Sequence, residues 1–159
     1  MKKYPLPEHE WISIIEAPLY GQVFPSHSGD DELERMLAEV ERITKAIDGP
    51  LGWVTDVSNI LHATARQRKM YADSDERLKF YDKKWCTGTA IICTGSFVRG
   101  VVTAIHWMTP PVYPFKVFGS RRDGELWARQ QLIARGVEVS PEPQSLVSQI
   151  GSVKQQRAF

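Results

Sequence analysis

Residues Thr87–Thr94 read TGTAIICT, a nearly continuous apolar run. A strand with one face in water would alternate polar and apolar side chains. A short unbroken run instead suits a central strand covered on both faces. The chain on either side agrees with that reading. Behind the run, Ser96 is placed to cap a helix over Phe97 to Met108. Its Phe97, Val98, Val101, Val102, Ala104, Ile105 and Trp107 are apolar almost all round, so the helix is expected to be largely buried. Thr109-Pro110-Pro111 ends it. In front of the run, Thr64 to Lys84 is polar and helical, with a thin stripe of Met70, Ser74, Leu78, Tyr81 and Trp85.

Further out, the alternation of strand and helix continues. Trp11 to Phe24 reads as two short strands separated at Pro18. Asp30 or Asp31 can cap a helix over Glu32 to Ile47. Its Leu33, Met36, Leu37, Val40, Ile43 and Ile47 recur at steps of three and four, the strongest periodic signal in the chain. Asp48-Gly49-Pro50 stops that helix, Gly49 suiting a left-handed end. A β-type run, LGWVTDVSNI, follows from Leu51, and Pro114 to Phe118 forms a last short strand. Ser120 opens a final helix with Leu126, Trp127, Gln130 and Ile133 on its expected inner face, closed by Gly136. Strands alternating with helices predict an α/β fold, a small, mostly parallel sheet with helices packed on it. The expected divisions are an extension over 1–10, one domain over 11–136, and a flexible tail over 137–159 with two prolines and little periodicity.

Composition narrows the function classes. The chain has 159 residues, enough for one ordinary domain, and 20 Lys and Arg against 19 Asp and Glu. That balance argues against a nucleic-acid coat or a polybasic membrane anchor. It averages over unlike regions, because Thr64–Lys69 has three cations and no acid while Asp30–Glu41 has six acids and one cation. No stretch approaches the roughly 18 apolar residues of a membrane span, and MKKYPLPEHEW is no signal peptide. Cys86 and Cys93, on one extended segment, would lie roughly 23 Å apart, too far for a local disulfide. Reduced thiols without an address label lead us to expect a cytoplasmic protein.

Phosphate-loop, dinucleotide, nucleophile-elbow and zinc-protease motifs are all missing from the sequence. His9, His27, His62 and His106 are scattered over different elements, and His106 reads as an edge-lying helix residue. Trp53, Trp85, Trp107 and Trp127 read as core or core-edge aromatics. Neither a metal nor a cofactor is expected, and no catalytic residue can be assembled. The loop after the second core strand is more informative. Asp56 and Ser58 stand at the strand end, and Thr64, Arg66, Arg68 and Lys69 open the next helix. Cations in a first helical turn oppose the helix dipole, so they suggest a surface for an acidic partner, a phosphate or a lipid headgroup. The plain alternative is a solvated face balanced by Asp73, Asp75 and Glu76. A second candidate anion site is Thr94, Ser96 and Arg99, at the next strand-to-helix junction.

Four further stretches carry a family resemblance. They are Lys84-Trp85-Cys86-Thr87-Gly88-Thr89-Ala90; the run from Ser96-Phe97-Val98-Arg99-Gly100-Val101 to Trp107; and Pro114-Phe115-Lys116-Val117-Phe118 with Trp127-Ala128-Arg129. Over Leu19 to about Arg135 the chain resembles the STAS domains of bacteria (SpoIIAA-like, or STAS/SEC14-type), and more closely an uncharacterised single-domain subgroup. The resemblance implies a SpoIIAA-like α/β sandwich that works by binding. Signalling members carry a D-[LF]-S-x-V stretch followed by D-S-S-G, whose serine is phosphorylated. Asp56-Val57-Ser58-Asn59-Ile60 fits the first part, but Thr64-Ala65-Arg66-Gln67 replaces the second. Ala65 stands at the acceptor position and takes no phosphate, although Thr64 beside it could. The expectation is therefore a non-enzymatic regulatory or adaptor domain with a protein partner of acidic character, without the usual phosphorylatable D-S-S-G switch. The alternative is a small-molecule or lipid binder with a pocket between helix 97–108 and the sheet. No nucleic-acid partner and no transmembrane segment are expected.

Overall fold

A computed structural model of the chain, described over residues 3–143, folds the expected α/β alternation into one five-stranded sheet. The strands are β1 (Ile12–Glu16), β2 (Leu19–Val23), β3 (Leu51–Asp56), β4 (Cys86–Ile92) and β5 (Phe115–Phe118), side by side in chain order. β1 runs antiparallel to β2 across Ala17-Pro18, and every other pairing is parallel. The helices are α1 (Asp30–Ile47), α2 (Ala65–Trp85), α3 (Ser96–Met108) and α4 (Arg121–Ala134). β4 pairs on both edges, with β3 through Trp53↔Thr89 and with β5 through Ile91↔Val117, and its apolar run is unbroken because Ile91 and Cys93 meet one core and Ala90 and Ile92 the other.

Side-chain alternation splits the core in two. Tyr20, Trp53 and Ile91 face one side and pack with Leu33, Met36, Leu37, Ile43 and Ile47 of α1. Leu19, Val54, Ala90 and Ile92 face the other and meet Ala128 and Leu132 of α4. Each fully buried side chain of this size contributes roughly 1.5–3 kcal/mol, so the α1 stripe is a principal support of its layer.

The inner face of α4 differs from the expected one. Gly124, Glu125, Ala128, Arg129 and Leu132 are buried, while Gln130 and Ile133 are exposed. Two causes combine. Gly124 lets the helix approach so closely that a β-carbon there would lie 2.3 Å from Ile92 Cδ1. Arg129, fully buried, donates to Glu125 at 3.0 Å and also to Glu16, so two charges enter the interior together. Hydropathy ranks both residues as outward, and the periodicity therefore selects the wrong face.

Both ends of the domain extend past the expected boundaries. Tyr20 donates its hydroxyl to the Pro5 carbonyl at 2.8 Å, Arg42 donates to Leu6 O at 2.8 Å, and the Glu8 amide donates to Glu39 at 3.0 Å. Residues 4–10 are thus folded onto β2 and α1. At the other end, Val137 and Val139 pack on the α4-side core, and the Ser140 amide donates to the Glu16 carboxylate. The expected tail therefore starts no earlier than about Glu142, and its part over 144–159 lies outside the described residues.

Helix ends also shift by a residue. Gly29 and Gly95 are the N-caps of α1 and α3, so Asp30 and Ser96 are first-turn residues rather than caps. The left-handed end of α1 is Asp48, at φ 40°, rather than Gly49, and its carboxylate accepts a hydrogen bond from the Trp85 indole. Ser120 caps α4 as expected, accepting from the Asp123 amide.

Candidate functional site

The expected buried helix is the largest departure. In α3 only Val98 and Val101 are buried, and Trp107 is 82% exposed. α3 packs chiefly against α2 and leaves open space between itself and the sheet. That space is a cavity of about 90 Å³ at the carboxyl ends of the strands, where α/β sheets collect ligands. Its walls are mainly apolar: Phe24 and Ile91 from the sheet, Leu33 from α1, and Val98, Val101 and Ile105 from α3. His62, Gln67, Arg68 and His106 add polar atoms. Burial holds the His106 ring below its ordinary pKa, and the ring lies edge-on to Phe115 at 4.6 Å. A volume of 90 Å³ exceeds what one water fills, so the space admits a small organic group.

A smaller cavity of about 40 Å³ adjoins it, with Thr55, Tyr71, Thr89 and Tyr113 common to both walls. It carries two carboxyls, Asp75 and Asp82 of α2, both pushed up to about 7 by burial. Thr44 of α1 also lines it, and its buried hydroxyl has no hydrogen-bond partner among the described residues. Burial raises the Tyr71 and Tyr113 hydroxyls and lifts the Cys86 thiol to about 12. A thiol so protonated is a poor nucleophile.

The residues singled out in sequence fall into two groups. Asp56 accepts from the Ser58 amide at 2.9 Å, and Ser58 donates to Ile92 O at 3.3 Å, so this pair ties the β3 turn to β4. Thr64 caps α2, accepting from the Gln67 amide at 3.0 Å while Gln67 accepts from the Thr64 amide at 3.1 Å. The three cations also have partners within the fold. Arg66 faces Asp30 at 3.4 Å, Lys69 pairs with Asp73 at 2.8 Å, and Arg68 donates to Ala63 O at 2.8 Å. Of the six, Arg68 alone lines the cavity. In the second set, Thr94 and Ser96 are exposed and Arg99 borders an open groove with Trp107, Phe115 and Val117.

Sequence reasoning missed Thr44, Asp75 and Asp82 as a group. The available signal was the spacing of Asp75 and Asp82, seven residues apart on one face of a helix whose other acids are salt-bridged. A further pattern marks the α3–β5 side. From Lys83 to Arg122 the chain has six cations and no acid, and this stretch includes the exposed Phe97, Trp107, Met108, Phe115 and Val117. Among the described residues no three His, Cys, Asp or Glu side chains gather as a metal site, and no helix is long and apolar enough to cross a membrane.

No family model matches the chain, and no curated protein matches it. Among solved structures it is similar to an uncharacterized protein from the DUF3478 family with a SpoIIAA-like fold, from Shewanella loihica PV-4. That likeness has 21% sequence identity and a TM-score of 0.44, and it covers 69% of this chain and 82% of the other.

Proposed function

We propose that the protein is a non-enzymatic binder of small, mainly apolar molecules, held between α2, α3 and the sheet. One observation carries this reading: the apolar cavity of about 90 Å³ with a few polar groups in its wall. The poorly nucleophilic Cys86 supports a binding role over a thiol enzyme. Calorimetric titration with 1-octanol tests the proposal. Saturable binding to the wild type, lost on Ile105→Trp, which fills the cavity from α3, supports it. The absence of saturable heat with the wild type overturns it.

Docking of an acidic protein partner, in a regulatory or adaptor role, is a second reading favoured by the acid-free stretch over 83–122 and its exposed Trp107. It moves the contact surface from Arg66, Arg68 and Lys69 to the groove of Arg99, Trp107, Phe115 and Val117. A stoichiometric partner lost on Arg99→Glu with Trp107→Glu, but kept on Arg66→Glu with Arg68→Glu, supports it. The reverse pattern returns the surface to α2.

A further inference from the structure

The inner cavity next to the apolar one has a chemistry of its own. Asp75 and Asp82 line it from α2, and among the described residues neither forms an ion pair or a side-chain hydrogen bond. The nearby cations are committed elsewhere, Arg77 to Glu41 at 2.8 Å and Lys79 to Glu76 at 3.7 Å. The remaining walls contain no cation: α1 gives Leu37, Val40 and Thr44, the sheet gives Gln22, Trp53, Thr55, Cys86 and Thr89, and the segment before β5 gives Tyr113. Gln22 and Thr55 are already satisfied by each other at 3.0 Å. Thr44 is 4% exposed, and its hydroxyl is left without a partner at this same cavity. Interior charge is stable when it meets an opposite charge, and interior polar atoms when they are hydrogen-bonded. Two carboxyls and an orphaned hydroxyl therefore describe a place where hydrogen-bond donors and positive charge are missing.

We infer that the ligand is an apolar primary amine, with its ammonium group at Asp75, Asp82 and Thr44 and its hydrocarbon part in the adjoining cavity. An ammonium group supplies three N–H donors and one positive charge, matching two carboxylates and one hydroxyl oxygen. The titratable groups facing the two carboxyls are Tyr71 on α2, Tyr113 and Cys86, and burial keeps all three protonated and neutral near pH 8. Among the described residues lining this inner cavity, the two carboxyls are the only charged groups the ammonium would meet. This inference rests on the apolar-cavity reading, and the test separates the two.

The test compares n-octylamine, 1-octanol and octanoate by calorimetry at pH 8, with wild type and Asp75→Asn/Asp82→Asn. The expected order is octylamine tightest, at least tenfold over octanol, and octanoate weakest. In the double variant the amine preference disappears while octanol still binds, which also shows that the variant is folded. Octanol binding with equal or weaker amine binding overturns the inference and leaves the cavity reading standing. Octanoate as the tightest probe places the head group near Arg68 and His62 instead, and also overturns it. Binding of none of the three overturns the cavity reading itself.

Discussion

Asp75 and Asp82, about two turns apart on α2, face one cavity of about 40 Å³ and have no cationic partner among the described residues. The relationship links stability to pH. Burial raises both carboxyls to about 7 in the folded protein, whereas in the unfolded chain they titrate near 4. Between those values the folded state holds more protons, so stability falls as pH rises through 7 and is fully regained below the unfolded value. Urea unfolding should show greater stability at pH 5.5 than at pH 8, by on the order of 2 kcal/mol. Asp75→Asn/Asp82→Asn should flatten that difference. Glu39, held below its usual range by its hydrogen bond to Arg42, acts in the opposite sense and only under more acidic conditions, outside this window.

Arg129 gives a second prediction. Replacing it with Leu takes the guanidinium away from the Glu125 carboxylate, which is 1% exposed beneath α4. The expected cost is about 3–5 kcal/mol, read from urea midpoints. Adding Glu125→Leu should recover much of that loss, because an apolar pair of similar volume removes the buried carboxylate as well.

The start of α2 separates structural from surface roles among the residues singled out in sequence. Thr64→Ala removes the cap bond to the Gln67 amide and should cost about 1 kcal/mol. Arg66→Ala breaks only an exposed pair with Asp30 and should change stability by less than about 0.5 kcal/mol. Parallel thermal melts of the two variants check the difference.

Gly88 marks a second close approach of α4 to β4, beside that at Gly124. A β-carbon there would lie 2.9 Å from the Trp127 ring and 3.1 Å from Gln131. Gly88→Ala should therefore destabilise by about 1–3 kcal/mol, against the usual small gain when glycine is replaced inside a strand. Gly88→Ala combined with Trp127→Leu should be less destabilised, relative to Trp127→Leu alone, in the same unfolding assay.

The sheet was legible because its signals are local. The unbroken run at Ala90–Cys93 and the stripe from Leu33 to Ile47 report burial directly through side-chain type. The inner face of α4 was not legible, because its Glu125–Arg129 pair looks solvent-facing until both partners are placed together. The exposure of α3 was hidden for the converse reason. An apolar helix is read as covered, yet Trp107 and Phe97 remain exposed since α3 rests on α2 and a cavity. The candidate site suffered most. Arg66 and Lys69 were prominent in sequence and are paired locally, whereas Thr44, Asp75 and Asp82 meet only through tertiary packing between α1 and α2.

The most direct test of the cavity reading is where an apolar ligand sits. Intermolecular NOEs from 1-octanol to methyl groups of the labelled protein read this without any substitution. The account predicts contacts to Val98, Val101 and Ile105, which line the cavity and not the open groove, in the saturated complex. Contacts confined to Val117 on the open α3–β5 groove, with none to those three residues, would contradict it.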